Sequence, residues 1–508
     1  MTDILVDSGS SEADTLSQGN MRTLCAWLDA PPLPNASDEL TPLLGHLEFL
    51  RTSQESPQHC ASALGRLYTR SISVCTALLP LLTDVDLPVP LPRKTRQLAH
   101  SLQELLQTLA EDLLTTLGRD GNQQNSELSQ EQNLTLWRCL NALSKHLLIS
   151  NLAASPAVNG IWRQLHQIYE TVRRQGLEGH VPEEASSSLQ NIYFSAILLG
   201  CAQPASFTSS EINFIVACAE NSVDLIEPTG DAATRTPATF WIDPSRDATA
   251  LACSRKLPPP DTHVHYFSCD RLAPKLKNQL DLLENGASPQ QINLPDFAST
   301  PGGQGVLRRL ITYWCEPGKR RFPRRRQNYR AALCSGLHSV WHMFQDGDAA
   351  AVETSSWMIT NESPDGYALM HVSGKTGGIS VGDITAIRTE SGANWQICMV
   401  RWALSENQEH LELGLQILAT RAVPAHLARP SETGTTVRLP VLILPEIRAL
   451  HSTEMLVIPT GTLENQPLKL VLVLEKENLE VREVKSTHLD EQNSHIEIFS
   501  IEPDTLPS

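Results

Sequence analysis

The spacing of apolar residues changes along this chain. In PRKTRQLAHSLQELLQTLAEDLLTTLGRDG (92 to 121), Leu98, Leu102, Leu105, Leu109 and Leu113 recur at intervals of three and four, which lines them along one face of an α-helix. Pro90 and Pro92 stand before the run and Gly118 follows it, the residue types expected at a helix start and stop. The same period marks 56 to 83, 126 to 150, 158 to 175, 184 to 202 and 208 to 225, with short polar or Gly/Pro breaks between them. Short connections favour antiparallel neighbours. Residues 21 to 225 are therefore expected to form an α-helical domain, a bundle or irregular stack. Residues 1 to 20 hold few large apolar side chains and several acids, the composition of a disordered tail.

From residue 226 the pattern mixes prolines and turn residues with strand-like pieces such as TFWI and HVHYF, then a short helical piece over 269 to 286. Residues 226 to 318 read as a connecting segment of mixed structure. Beyond it the signal is β. LHSVWHMF (337 to 344), SSWMIT (355 to 360), GYALMHV (366 to 372), VGDITAIR (381 to 388), WQICMVRWAL (395 to 404) and HLELGLQIL (410 to 418) are short, β-branched or aromatic, and separated by turns. Six strands without intervening helices imply a small barrel or sandwich, placed over 319 to 428. A second set, VRLPVLIL, EMLVIPT, LKLVLVLEK, LEVREVKS and HIEIFSI, implies a smaller β module over 429 to 508. The fold class is multidomain α + β.

Composition narrows the function. At 508 residues with 41% hydrophobic side chains the chain can bury several cores, and its longest apolar runs fall short of a membrane span. The N-terminus lacks the basic and apolar regions of a secretory signal. Eleven cysteines, an odd number with no CxxC pair, argue for small core residues in a reducing compartment rather than a disulfide framework or zinc site. A cytoplasmic protein is expected. Its net charge of -17 argues against binding a nucleic-acid polymer.

Against that charge, KRRFPRRRQNYR (319 to 330) gathers seven cations into twelve positions, as a site for a compact anion would. Thirty-odd residues on, Asn361, Ser363 and Gly366 form N-x-S-x-x-G inside TNESPDGYALM. Asn361 and Ser363 suit local hydrogen bonds, while Pro364, Asp365 and Gly366 supply a turn. Gly366 is expected to allow a positive φ and the close approach of a flat base.

An arginine cluster holding R-x-x-x-R, a strand, N-x-S-x-x-G leading into another strand, then Val381-Gly382-Asp383 opening the next, and a closing LELGLQIL, resembles a PilZ domain over residues 319 to 425. The resemblance implies a β-barrel receptor for cyclic di-GMP, with no other cofactor and no catalysis. It implies that arginines before the barrel fold over the ligand while the N-x-S-x-x-G turn reads guanine. The arginine pair has three possible registers: Arg326 with Arg330, Arg320 with Arg324, and Arg321 with Arg325. The first is favoured because it runs into the first expected strand. The expected ligand residues are thus Arg325, Arg326, Arg330, Asn361, Ser363 and Gly366. Arginine offers phosphate and guanine a planar fork of donors. The output would pass to the helical domain or to a protein partner bound there.

Two other readings compete. A PilZ-like barrel without ligand could be an interaction scaffold, although such relatives usually lack the arginines or the serine motif. Asp261-Thr-His263-Val-His265 matches the D-x-H-x-H of metal-dependent amidohydrolases, but the β/α units that fold needs do not follow. Gly378-Ile-Ser380-Val-Gly382 has the spacing of a nucleophile elbow and is followed by a strand pattern, not the required helix.

Overall fold

The computed structural model describes residues 21–83, 86–120, 129–229, 236–319, 322–346, 352–376, 378–392, 394–407, 409–430, 436–447, 451–463, 469–475 and 479–504. The tail expected over 1–20, and Arg320 and Arg321 of the basic segment, lie outside them. The N-terminal body contains α1 (residues 21–29), α2 (Leu40–Thr52), α3 (Pro57–Leu78), α4 (Pro80–Thr83), α5 (Arg93–Asp120), α6 (Gln130–Leu152), α7 (Ile161–Arg174), α8 (Leu189–Cys201) and α9 (Ser209–Glu220). The leucine stripe of α5 is buried from Leu102 to Leu113. Helix starts follow local chemistry: Ser56 accepts from the His59 N–H ahead of α3, and Ser129 with Gln132, and Thr208 with Glu211, form reciprocal capping boxes at α6 and α9.

The segment over 226–318, expected as a connector, packs into that body. A four-stranded antiparallel sheet of β1 (Glu227–Thr229), β2 (Thr239–Ile242), β3 (Leu251–Ala252) and β4 (His265–Ser268) has the order β1-β4-β2-β3. Helices α10 (Leu272–Glu284) and α11 (Pro301–Leu310) follow, the latter running into a π-helical turn, Ile311–Cys315. One continuous apolar cluster extends from Leu24 to Cys315. Trp314 is fully buried, and its indole N–H donates to the Leu198 carbonyl of α8 at 2.9 Å.

Two closed six-stranded barrels complete the chain. The first comprises β5 (Arg325–Ser335), β6 (Ser355–Ser363), β7 (Gly366–Ser373), β8 (Ile384–Thr389), β9 (Gln396–Ser405) and β10 (Leu411–Ala419), ordered β10-β7-β6-β5-β8-β9. The second comprises β11 (Val423–Pro430), β12 (Thr436–Leu444), β13 (Glu454–Pro459), β14 (Lys469–Glu475), β15 (Leu479–Gln492) and β16 (Ile496–Pro503), ordered β11-β12-β13-β16-β15-β14. With the strands of each barrel counted along the chain, both walls read sixth, third, second, first, fourth, fifth before closing. The C-terminal module thus repeats the topology of the first barrel, with β11 as its first strand and β16 as its sixth.

One expected strand is a helix. LHSVWHMF lies in α12 (Leu337–Asp346), because Leu337, Val340, Trp341 and Phe344 have helical spacing and all pack into one cluster. Gly336, at φ +91°, breaks the chain out of β5 just before it. The first barrel strand is instead β5, whose polar first half hides it. Trp341 of α12 donates to the Ala425 carbonyl of β11 at 2.9 Å. Around it, outer faces of both barrels meet in an apolar layer that includes Ile384, Met399, Leu442, Val457 and Ile498.

The three parts converge on residues 491–495, the end of β15 and the turn into β16. Asn493 is buried and donates to the Gly382 carbonyl of the first barrel at 3.4 Å. His495 faces Asp383 at 3.9 Å, and burial raises the Asp383 carboxyl above its usual range. Ser494 donates to Glu211 of α9 at 3.2 Å, and Arg308 of α11 donates to Gln492 at 2.5 Å. A side chain at Gly305 would run into the Gln492 carbonyl, so α11 lies directly on β15.

Candidate functional site

The tight turn between β6 and β7 pairs Ser363 with Gly366. The Ser363 hydroxyl lies 2.7 Å from Asp365 Oδ1 and 3.2 Å from the Gly366 carbonyl, and Asp365 accepts the Ile417 N–H through its own carbonyl at 2.9 Å. Gly366 is required for a reason other than the one expected. Its φ is not positive; a Cβ there would instead collide with the Leu415 carbonyl oxygen of β10. The close approach is that of a neighbouring strand.

Beside this turn is a pocket of about 260 Å³ on the outer surface of the first barrel. Ser363, Asp365 and Gly366 line one side; Arg401, Trp402, Gly414 and Gln416 line another, with Phe322 and Arg324 arriving from the segment before β5. Local strand irregularity builds the second side. Val400 pairs with Leu415 and Trp402 with Gly414, leaving Arg401 as the extra residue of a β-bulge, a device that re-aims a side chain. The interior residues of β9 change parity accordingly, from Cys398 and Val400 to Ala403. Gly414 has room only for hydrogen, because the Trp402 indole occupies the space of a Cβ. Arg401 donates through Nε to Gln416 Oε1 and through Nη2 to Glu491 Oε2 at 2.8 Å.

The structure brings Ser363 and Gly366 together with a basic-segment arginine, but that arginine is Arg324. Arg325 and Arg326 are the first residues of β5, exposed and paired with Glu362 and Asn361. A bulge follows, and Gln327 and Tyr329 both donate to Glu362 Oε2 at 3.1 Å. Arg330 is exposed further along β5 and lines a separate open groove of about 690 Å³ with Arg388, Thr354 and Glu390. Asn361 stands two residues before Ser363 and outside the pocket lining. Sequence reasoning missed Arg401 and Trp402. Their β9 segment, ICMVRWA, is apolar at both parities, so the bulge leaves no alternation break to read.

The other chemical candidates resolve differently. His263 and His265 come within reach of Glu170 on α7, their ligand atoms all within 4.8 Å. Arg173 Nη1, however, lies 2.5 Å and 3.0 Å from the two ring nitrogens of His265. A guanidinium bonded there takes up the single lone pair a neutral imidazole can offer a metal and adds a repelling charge, while His265 Nε2 lies 2.6 Å from Glu170 Oε1. Asp261, at φ +61°, is outside the cluster. Ser380 donates its backbone N–H to Asp383 Oδ2 at 2.8 Å in a turn leading to β8, with no elbow helix behind it. All eleven cysteines are free and nine are buried; burial pushes Cys201 and Cys218 up to about 12, leaving them protonated at neutral pH. A cavity of about 560 Å³ in the helical body, near Lys145 and Glu220, includes none of the expected site residues. Among the described residues no helix is long and apolar enough to cross a membrane.

Comparison with known proteins gives two family matches. Residues 22–233 match the N-terminal domain of the cyclic-di-GMP receptor FimW, and residues 344–424 match the middle PilZ domain of that receptor. The second match begins inside α12, so it leaves out β5 and the basic segment. The cyclic-di-GMP receptor FimW of Pseudomonas aeruginosa is 20% identical over 453 residues, covering 73% of this chain and 73% of its own. No solved structure matches the chain.

Proposed function

The chain carries a PilZ domain of the FimW type, behind a FimW-type helical domain, and from that premise we propose that it is a non-catalytic receptor for cyclic di-GMP. The observation that supports this most is the convergence of Arg324, Arg401, Ser363, Asp365, Gly366 and Trp402 on one outer pocket of the barrel. The ligand offers two phosphates and two guanines. Arg324 and Arg401 supply forked donors for phosphate or for guanine O6 and N7. The Asp365 carboxylate suits the donor edge of guanine, and Trp402 gives a base an aromatic neighbour for stacking.

Of the three arginine registers, Arg320 with Arg324 has the best support, since Arg324 alone of the arginines in 324–330 lines the pocket. Arg325, Arg326 and Asn361 then flank the site on paired strands. Arg330, in its own groove with Arg388, serves as the internal control: Arg330→Ala is expected to change cyclic di-GMP affinity by less than about 0.5 kcal/mol, the range of ordinary surface substitutions. Isothermal titration measures it. A tenfold loss in that variant would restore the Arg326 with Arg330 register.

We assign the receptor to the cytoplasm, where this messenger is made and read. The output is assigned to the contact between barrels and helical body, or to a protein partner on that body. A ligand-free scaffold is the second reading, favoured by the family match that starts after the basic segment. Absence of any cyclic di-GMP binding by the folded chain would select it.

A further inference from the structure

We infer that Glu491 of the second barrel is a built-in competitor for the anion in this pocket, holding Arg401 until ligand takes it; the inference rests on the receptor reading above. Arg401 both lines the pocket and ion-pairs with the second barrel. The bulge in β9 aims it there. Its Nη2 holds Glu491 Oε2 at 2.8 Å and its Nε holds Gln416, itself a pocket residue. Nε and Nη2 form one edge of the guanidinium, the edge that grips an oxyanion with two parallel hydrogen bonds. In the structure that edge is filled by a carboxylate and an amide oxygen. A phosphate seated against Arg401 must replace them, and its charge would also repel the Glu491 carboxylate.

The pair is placed so that its exchange matters. Glu491 is 18% exposed at its side chain and Arg401 36%, so the contact is partly shielded from water and salt. The next residue, Gln492, accepts from Arg308 of α11, whose other nitrogen bonds Glu284 of α10; Asn493 then bonds the first barrel through the Gly382 carbonyl. Freeing Glu491 therefore acts at the start of the segment where both barrels and the helical body meet. By linkage, whatever favours the Arg401–Glu491 pair disfavours ligand, and ligand disfavours the pair by the same factor.

The test is a double-mutant cycle by isothermal titration of cyclic di-GMP into the full chain: wild type, Glu491→Gln, Arg401→Ala and the double variant, each checked for folding by circular dichroism and thermal melting. The expected result is about three- to tenfold tighter binding by Glu491→Gln, roughly tenfold weaker binding by Arg401→Ala, and a double variant that binds like Arg401→Ala alone. Unchanged or weaker binding by a folded Glu491→Gln overturns the inference while the receptor reading stands. So does the same gain from Glu491→Gln in the Arg401→Ala background, which would assign the effect to general charge. No binding by wild type or by any variant overturns both.

Discussion

Arg324→Ala is expected to weaken cyclic di-GMP binding about ten- to hundredfold. Arg324 lines the pocket together with the Ser363–Gly366 turn, and loss of a hydrogen bond to a charged partner costs about 1.5–3 kcal/mol. The residue is exposed before β5, so its replacement should leave the melting temperature near that of wild type. This separates a lost ligand contact from a lost fold. The prediction is positional: Arg308 and Arg309 are also cationic, but they are engaged with Glu284 and Glu211 on the helical side. Equal losses at Arg324 and at either of those would indicate nonspecific attraction between a basic surface and a dianion. Arg324→Lys should recover only part of the affinity, because an ammonium keeps the charge without the fork.

Gly366→Ala is expected to destabilise the first barrel by about 1–3 kcal/mol, the usual cost of forcing an extra group into a filled site, and to lose most ligand binding. The added methyl would collide with the Leu415 carbonyl of β10 and lie about 3.1 Å from its carbon. Both atoms are backbone in a strand paired to β7, so relief requires separating β7 from β10 where they form the pocket wall. Denaturant unfolding gives the stability term and titration the affinity term. A variant as stable as wild type would show that the two strands are not so close. The conformational argument for this glycine, a positive φ, predicts no such dependence on β10.

The two halves of the fold differed in how far the sequence exposed them. Helix positions were legible because one-face leucine stripes and polar caps act locally: Leu102 to Leu113 are buried in α5, and Ser129 and Thr208 begin α6 and α9 as their side chains dictate. The strand at 325–335 was not. Its first six residues, RRQNYR, are charged or polar because they stand at the barrel rim, and only Ala331 to Cys334 carry the core signal. The helix at 337–346 was mistaken for a strand because its histidines and aromatics suit either state until Leu337, Val340, Trp341 and Phe344 are seen to share a face. The connector over 226–318 lacked a period because its short strands and turns gain stability from packing on α8, not from their own alternation.

At the site, the N-x-S-x-x-G turn was legible as a turn because Ser363, Pro364, Asp365 and Gly366 carry their chemistry locally. Arg401 and Trp402 were not, since they reach the pocket through a bulge set by pairing with β10. The arginine register depended on where β5 starts, and that start is fixed by pairing of Arg325 with Glu362, thirty-seven positions further along the chain. The repeat of barrel topology was hidden for a similar reason: strand order is a property of closure, and the two barrels share it without sharing an N-x-S-x-x-G turn in the second.

The measurement that tests the central claim most directly is titration of cyclic di-GMP into the full-length chain, beside Arg324→Ala. The account predicts saturable binding by the wild type and about ten- to hundredfold weaker binding by the variant. A folded wild type that takes up no cyclic di-GMP, or a variant that binds as tightly as wild type, would contradict it.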